Sequence, residues 1–159
     1  MATAKGASFI ITPVDDILVT RLREFVASGG DTTELMGRLG SRFTDQTEDR
    51  FTTQTDPDGN PWKPLSPGYI KRKKKNKDLV LTLNAYLRRS IHPDVLSADT
   101  VAWGSNLIQA AIHNWGGDGT GKNATMPKRQ YLGVSAADNT EALEIIQDWL
   151  HRKLNGLPD

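Results

Sequence analysis

The chain has 159 residues, 37% of them hydrophobic and 25% charged, which is enough for one packed core and short for two, so a single domain over residues 1–159 is expected. A formal charge of +1 excludes a global field that would steer nucleic acid, and the absence of cysteine excludes a disulfide scaffold, a thiolate metal site and a cysteine nucleophile.

Residues 7–12 (ASFIIT) form a short β-favouring run, and Phe9 to Ile11 is too short an apolar stretch for a signal-peptide core or a membrane span. A soluble protein that stays where it is made, with no membrane partner, is the expectation. Thr12 as cap, Pro13 at the first helical position, and Asp15 and Asp16 at the positive end of the dipole predict a helix start. Val14, Ile17, Leu18, Leu22, Phe25 and Val26 then recur on one helical face until Gly29 and Gly30 stop the run. A second helix is predicted from Asp31, with Glu34 placed as in a capping box and Leu35, Leu39 and Phe43 as its stripe. Gly40 costs it about 1 kcal/mol relative to alanine. After Phe43 the face turns polar until Phe51, so the second half is expected to project from the core.

Residues 51–77, FTTQTDPDGNPWKPLSPGYIKRKKKNK, hold four prolines and two glycines and close in a basic run. Loops this long in compact domains are uncommon unless they function or are disordered, and Trp62 and Tyr69 favour a working arm, inserted between helices. Further on, Thr82 is a cap for a short helix carrying Leu83, Tyr86 and Leu87. Residues 90–96 and 100–105 read as two strands, with Ile91, Val95, Val101 and Trp103 buried, and Pro93 places the first of them at an edge or a bulge. Ser105 is placed to cap a helix over residues 106–115 with Ile108, Ala111, Ile112 and Trp115 inward. A glycine-rich turn over 116–125, a strand over 130–134 and a closing helix over 138–154 follow. That last helix carries the stripe Leu143, Ile146, Trp149, Leu150 and Leu154, with Gly156 and Pro158 past its end. The result is an α+β fold, a small, mainly antiparallel sheet packed against helices, with a long extended arm.

Three segments imitate chemical motifs. GGDGTGKN (residues 116–123) nearly matches a phosphate-binding loop, but Asn123 stands where a magnesium-binding hydroxyl is needed, a helix precedes the glycines, and Pro127 interrupts the helix that should follow. Asp56, Asp58 and Asn60 imitate the start of a calcium loop, but Pro61 and Pro67 occupy its essential glycine and glutamate positions, and Asx and proline turn chemistry accounts for DPDGNP without an ion. His92, His113 and His151 lie on three different elements with no ligand partner at a metal interval, and His113 reads as a capping histidine. No catalytic, cofactor-binding or metal residues are therefore assigned, and a non-enzyme is expected. The basic run of Lys71, Arg72, Lys73, Lys74, Lys75 and Lys77 reads as a solvated segment, a phosphate contact or a salt bridge to an acidic partner.

RFTTQTDPDGNPWKPLSPGYIKRK (residues 50–73) resembles the signature of phage virion morphogenesis proteins, the group holding the phage Mu morphogenesis protein and the tail completion proteins of contractile-tailed phages. LTLNAYLRRSI (81–91), VAWGS (101–105), AAIHNWGG (110–117) and MPKRQYLGVS (126–135) continue the resemblance in order, with Asn84 standing where the family pattern implies glycine.

The resemblance implies a structural protein of the head–tail joint, a tail terminator or neck protein that completes the tail and enables head–tail joining. It implies a homo-oligomeric, hexameric ring touching the tail tube and neck or connector proteins, located in the virion and assembled in the host cytoplasm, with DNA passing through the lumen without specific binding. Trp62 and Tyr69 would then anchor the arm on a neighbour or on the tube, with Lys71 to Lys77 facing outward or towards a subunit. Arg129 would point to a neighbour or fix its turn while Tyr131 and Leu132 pack. The alternative is a DNA-binding or non-virion assembly factor that uses the basic 71–77 run on phosphates.

Overall fold

The computed structural model describes residues 7–11, 17–117 and 125–155. The elements run β1 (Ala7–Ile11), α1 (Ile17–Ala27), α2 (Thr33–Thr53), α3 (Pro67–Arg72), α4 (Tyr86–Arg89), β2 (His92–Ser97), β3 (Thr100–Ser105), α5 (Ala110–Trp115) and α6 (Ala136–Asn155). The sheet is antiparallel in the order β1-β3-β2, with Phe9 opposite Trp103 and Pro93 opposite Trp103 on the other side. The fold is α+β, as expected. Helix α2 crosses the sheet, and α6 packs on α1 and α2.

Helix α2 organises the core. Leu35, Met36, Leu39, Phe43, Gln46, Thr47, Arg50 and Phe51 are buried along it, a helical stripe that runs its whole length. The projecting second half is thus corrected: after Phe43 the polar residues Gln46, Thr47 and Arg50 face inward because each has a partner there, while Asp45 and Asp49 stay exposed. Trp103 of β3 stacks on Phe43 at 4.6 Å between ring centres and donates from Nε1 to Thr47 Oγ1 at 3.0 Å, while Thr47 donates to the Phe43 carbonyl at 2.8 Å. Arg50 donates to the carbonyls of Tyr131 and Gly133, both at 2.9 Å, and pairs with Asp138 at 2.5 Å. Gly40 is placed by the sheet, since a Cβ there would lie 2.7 Å from Pro93 Cβ and 2.9 Å from Val101 Cγ2. At the helix start Asp31, not a capping box, holds the Thr33 amide at 2.9 Å, and Glu34 instead accepts from Trp149 Nε1 at 3.3 Å.

Several local expectations shift. In α1 Val19 and Leu22 are buried and Ile17 is exposed, while the start signal at Thr12, Pro13, Asp15 and Asp16 lies outside the described residues. Pro93 does sit on an edge strand, which also carries a bulge between Val95 and Ser97, but Val95 is exposed because β2 is the outer strand. The helix expected over 106–115 is only α5, since Ser105 Oγ accepts from the Leu107 amide and caps a turn before it; Ile108 and Trp115 face outward and Asn114 inward. No strand forms over 130–134. The Tyr131 and Leu132 amides donate to Asn114 Oδ1 at 3.0 and 2.8 Å and the Tyr131 and Gly133 carbonyls accept from Arg50, so side chains supply the bonds a ladder would. Leu154 at the end of the α6 stripe is exposed, and Gly156 and Pro158 lie outside the described residues, as do residues 118–123 of the phosphate-loop look-alike.

Candidate interaction groove

Beyond α2 the chain is folded back rather than extended. Gln54 ends the helix in the left-handed region (φ 61°), and its side-chain oxygen accepts from the Val80 amide at 2.5 Å. The DPDGNP turn is closed by Asp56, whose Oδ1 accepts from the amides of Asp58 at 3.0 Å and Asn60 at 2.8 Å, as Asx chemistry predicts. Thr55 bridges to Pro61, and the Trp62 amide returns to the Gln54 carbonyl at 2.8 Å.

Trp62 is consequently core and not an exposed anchor. Only 6% of it is accessible; it meets Phe51 edge-on at 5.4 Å and donates from Nε1 to the Gln130 carbonyl at 2.8 Å. Arg129, 7% accessible, does not point to a neighbour: its guanidinium donates to the carbonyls of Lys63 (2.8 Å) and Pro64 (3.2 Å), so it fixes the turn by holding the arm. Its burial lowers its pKa below the usual arginine range. Lys73 is also turned inward, 5% accessible, with Nζ donating to the carbonyls of Asn76 and Leu79 at 2.5 Å each; burial lowers its pKa, against the pull of Asp78. An ammonium has three donors to satisfy, and two carbonyls presented by the 76–79 turn draw this one of the six basic residues away from solvent. Lys71, Arg72, Lys74, Lys75 and Lys77 remain exposed, as does Tyr69 on α3, whose start is capped by Ser66 Oγ at 3.3 Å from the Tyr69 amide.

With the arm pinned in this way, a groove of about 910 Å³ opens between it and the segment that leads into α4. One wall is Pro64, Leu65, Tyr69 and Arg72, the other Leu81, Leu83 and Tyr86, and His113, Met126 and Arg129 lie across the floor. A second cleft of about 520 Å³ continues it past Tyr69 and Leu83 to Lys74 and Lys75. Among the described residues, no aspartate or glutamate lines either one. Burial and the Arg129 charge lower the pKa of His113, keeping its imidazole neutral near pH 7, and its Nδ1 has no partner among the described residues. The expected Thr82 cap is absent; Thr82 donates to the Val80 carbonyl and α4 starts after Ala85, whose φ of 57° puts the left-handed turn one residue beyond Asn84. Of the three residues expected on that short helix, Leu83 falls before it and is exposed, Tyr86 is exposed and Leu87 is buried.

An apolar trough with a cationic rim is suited to apolar side chains flanked by carboxylates. Among the described residues no group of histidines and carboxylates could hold a metal ion, and no helix is long and apolar enough to cross a membrane. A model of the phage virion morphogenesis family matches residues 13–151. A protein of Escherichia phage Mu named "Putative capsid assembly protein G" is 32% identical over 115 residues, which cover 69% of this chain and 73% of that protein. No solved structure gives a significant match.

Proposed function

The chain belongs to the phage virion morphogenesis family, and from that premise we propose that it is a structural, non-catalytic component of the head–tail joint that completes or terminates the tail and allows the head to join. The family supports a role in phage assembly. The finer reading rests on one observation: the arm between α2 and α4 is tied to the core by Trp62 and Arg129, with Lys73 closing the arm's own 76–79 turn, and so presents Tyr69, the groove and the outer lysines as a preformed docking surface. Preorganised surfaces of this kind lose little entropy on association. The phage Mu relative is named for capsid assembly, and a joint protein works where capsid and tail meet.

In this reading copies form a ring, a hexamer, on the end of the tail tube, with neck or connector proteins above and DNA passing through the lumen without specific binding. Electron micrographs of particles assembled without the protein test it: tailless heads beside free tails, often with overlong tubes, are expected. Normal tailed particles would remove the proposal, and empty or unassembled heads would move the function into the capsid.

A further inference from the structure

The groove has a counterpart on the same molecule. The β2–β3 hairpin carries Val95 and Leu96 exposed on an outer strand, Leu96 with 56% of its surface accessible, flanked by Asp94 and Asp99. Asp94 is mostly exposed, with His92 Nε2 at 3.6 Å. Asp99 accepts from the Ser97 and Thr100 hydroxyls at 2.7 and 3.0 Å, which lower its pKa, with Arg23 acting in the same direction. The hairpin is thus apolar and acidic where the groove is apolar and basic.

The two patches cannot meet within one chain. Thr32, just before α2, donates its hydroxyl to the Ala98 carbonyl at the hairpin tip, whereas Gln54, just after α2, holds Val80 at the edge of the groove. Between the tip and Val80 run the 21 residues of α2, about 30 Å at the rise of an α-helix, and Pro93, beside Asp94, packs at Gly40, still about 20 Å of helix short of Gln54.

We propose that the groove of one copy receives the β2–β3 hairpin of the next, Val95 and Leu96 packing against Leu83, Tyr86 and Tyr69 while Asp94 meets Lys74 and Lys75. This rests on the reading of the protein as a ring component and supplies its contact. Two different patches at opposite ends of a molecule make a head-to-tail interface, which closes into a ring or continues as a filament; a two-fold dimer would need one self-complementary patch.

The test uses the full chain and two variants altered only at exposed positions, Leu83→Ser with Tyr86→Ser in the groove and Val95→Ser with Leu96→Ser in the hairpin, their folding checked by circular dichroism and thermal melting. Mass is measured by analytical ultracentrifugation. Wild type is expected to assemble with concentration and each variant to associate at least about tenfold more weakly. An equimolar mixture of the two variants should stop at a dimer, because only one intact groove and one intact hairpin meet. The charge pair is read separately: Lys74→Glu with Lys75→Glu should weaken assembly and adding Asp94→Lys should restore part of it, an effect fading with salt. If wild type assembles and the variants match it, or if their mixture regains the full size, the pairing is wrong while the ring reading stands. A wild-type chain that stays monomeric alone and on purified tail tubes overturns both. Open filaments in place of closed rings keep the pairing and remove the ring.

Discussion

Asn114 is fully buried, and its side-chain oxygen holds the amides of Tyr131 and Leu132. Asn114→Ala would strand two buried donors at about 1–3 kcal/mol each, so a fall in unfolding free energy of about 3 kcal/mol is expected in urea denaturation. Trp62→Ala should do similar damage, about 3–5 kcal/mol, through the cavity beside Phe51 and the lost bond to Gln130. A Trp62→Ala variant that melts like wild type would show that the arm contributes nothing to the core. His113 sets a pH dependence. Its folded pKa lies below the ordinary 6.5, because burial and the Arg129 charge disfavour the imidazolium, so the unfolded chain binds the proton more readily. Its contribution to stability is complete above the unfolded pKa and is lost as pH falls from there towards the folded one. Melting temperatures followed downward from pH 7.5 should therefore drop more for wild type than for His113→Gln once the pH passes below the unfolded pKa, and parallel curves would mean that the buried imidazole does not couple to folding.

At the scale of the element, two glycines of α2 separate helix propensity from packing. A methyl group added at Gly37 would have nothing within 4 Å, whereas one at Gly40 would meet Pro93 and Val101. Gly37→Ala should stabilise by about 0.5–1 kcal/mol, and Gly40→Ala should destabilise, because overpacking at about 1–3 kcal/mol exceeds the propensity gain. Denaturant midpoints decide this, and equal shifts would mean that the helix does not press on the sheet at Gly40. The basic segment divides likewise. Lys71→Gln with Lys74→Gln and Lys75→Gln should leave the melting temperature unchanged and, under the proposed joint role, slow head–tail joining more at low salt, since such contacts are screened over about 8 Å at physiological ionic strength. Lys73→Gln alone should lower the melting temperature, because Lys73 binds the carbonyls of Asn76 and Leu79.

For the whole molecule, a formal charge of +1 gives no general attraction for phosphate and leaves it to local clusters, of which the 71–77 run is the densest. Purified protein should therefore bind duplex DNA no more tightly than about 10⁻⁴ M at physiological salt, measured by fluorescence anisotropy. Micromolar binding with a steep salt slope would instead favour the DNA-binding assembly factor.

The repeat of apolar residues by itself determined the positions of α1, α2 and α6, the alternating run and Pro93 the hairpin with its edge strand and bulge, and the ordered odd motifs the family. Asp56 made its turn from neighbours alone. These signals are local: the spacing of a stripe and the chemistry of a turn act within a few residues of chain. Only tertiary structure decided where Trp62, Lys73, Arg129 and the inner polar face of α2 would go. An apolar ring on a proline-rich loop reads as the anchor of an arm, and it becomes core because Phe51 and the Gln130 carbonyl arrive beside it. Nothing in the sequence around Arg50 and Asn114 marks them for burial; they go inward because the 131–133 segment brings backbone groups that need them. The groove belongs to this second kind, because its walls are separated in sequence and meet only when the arm is tied down through Gln54, Trp62 and Arg129.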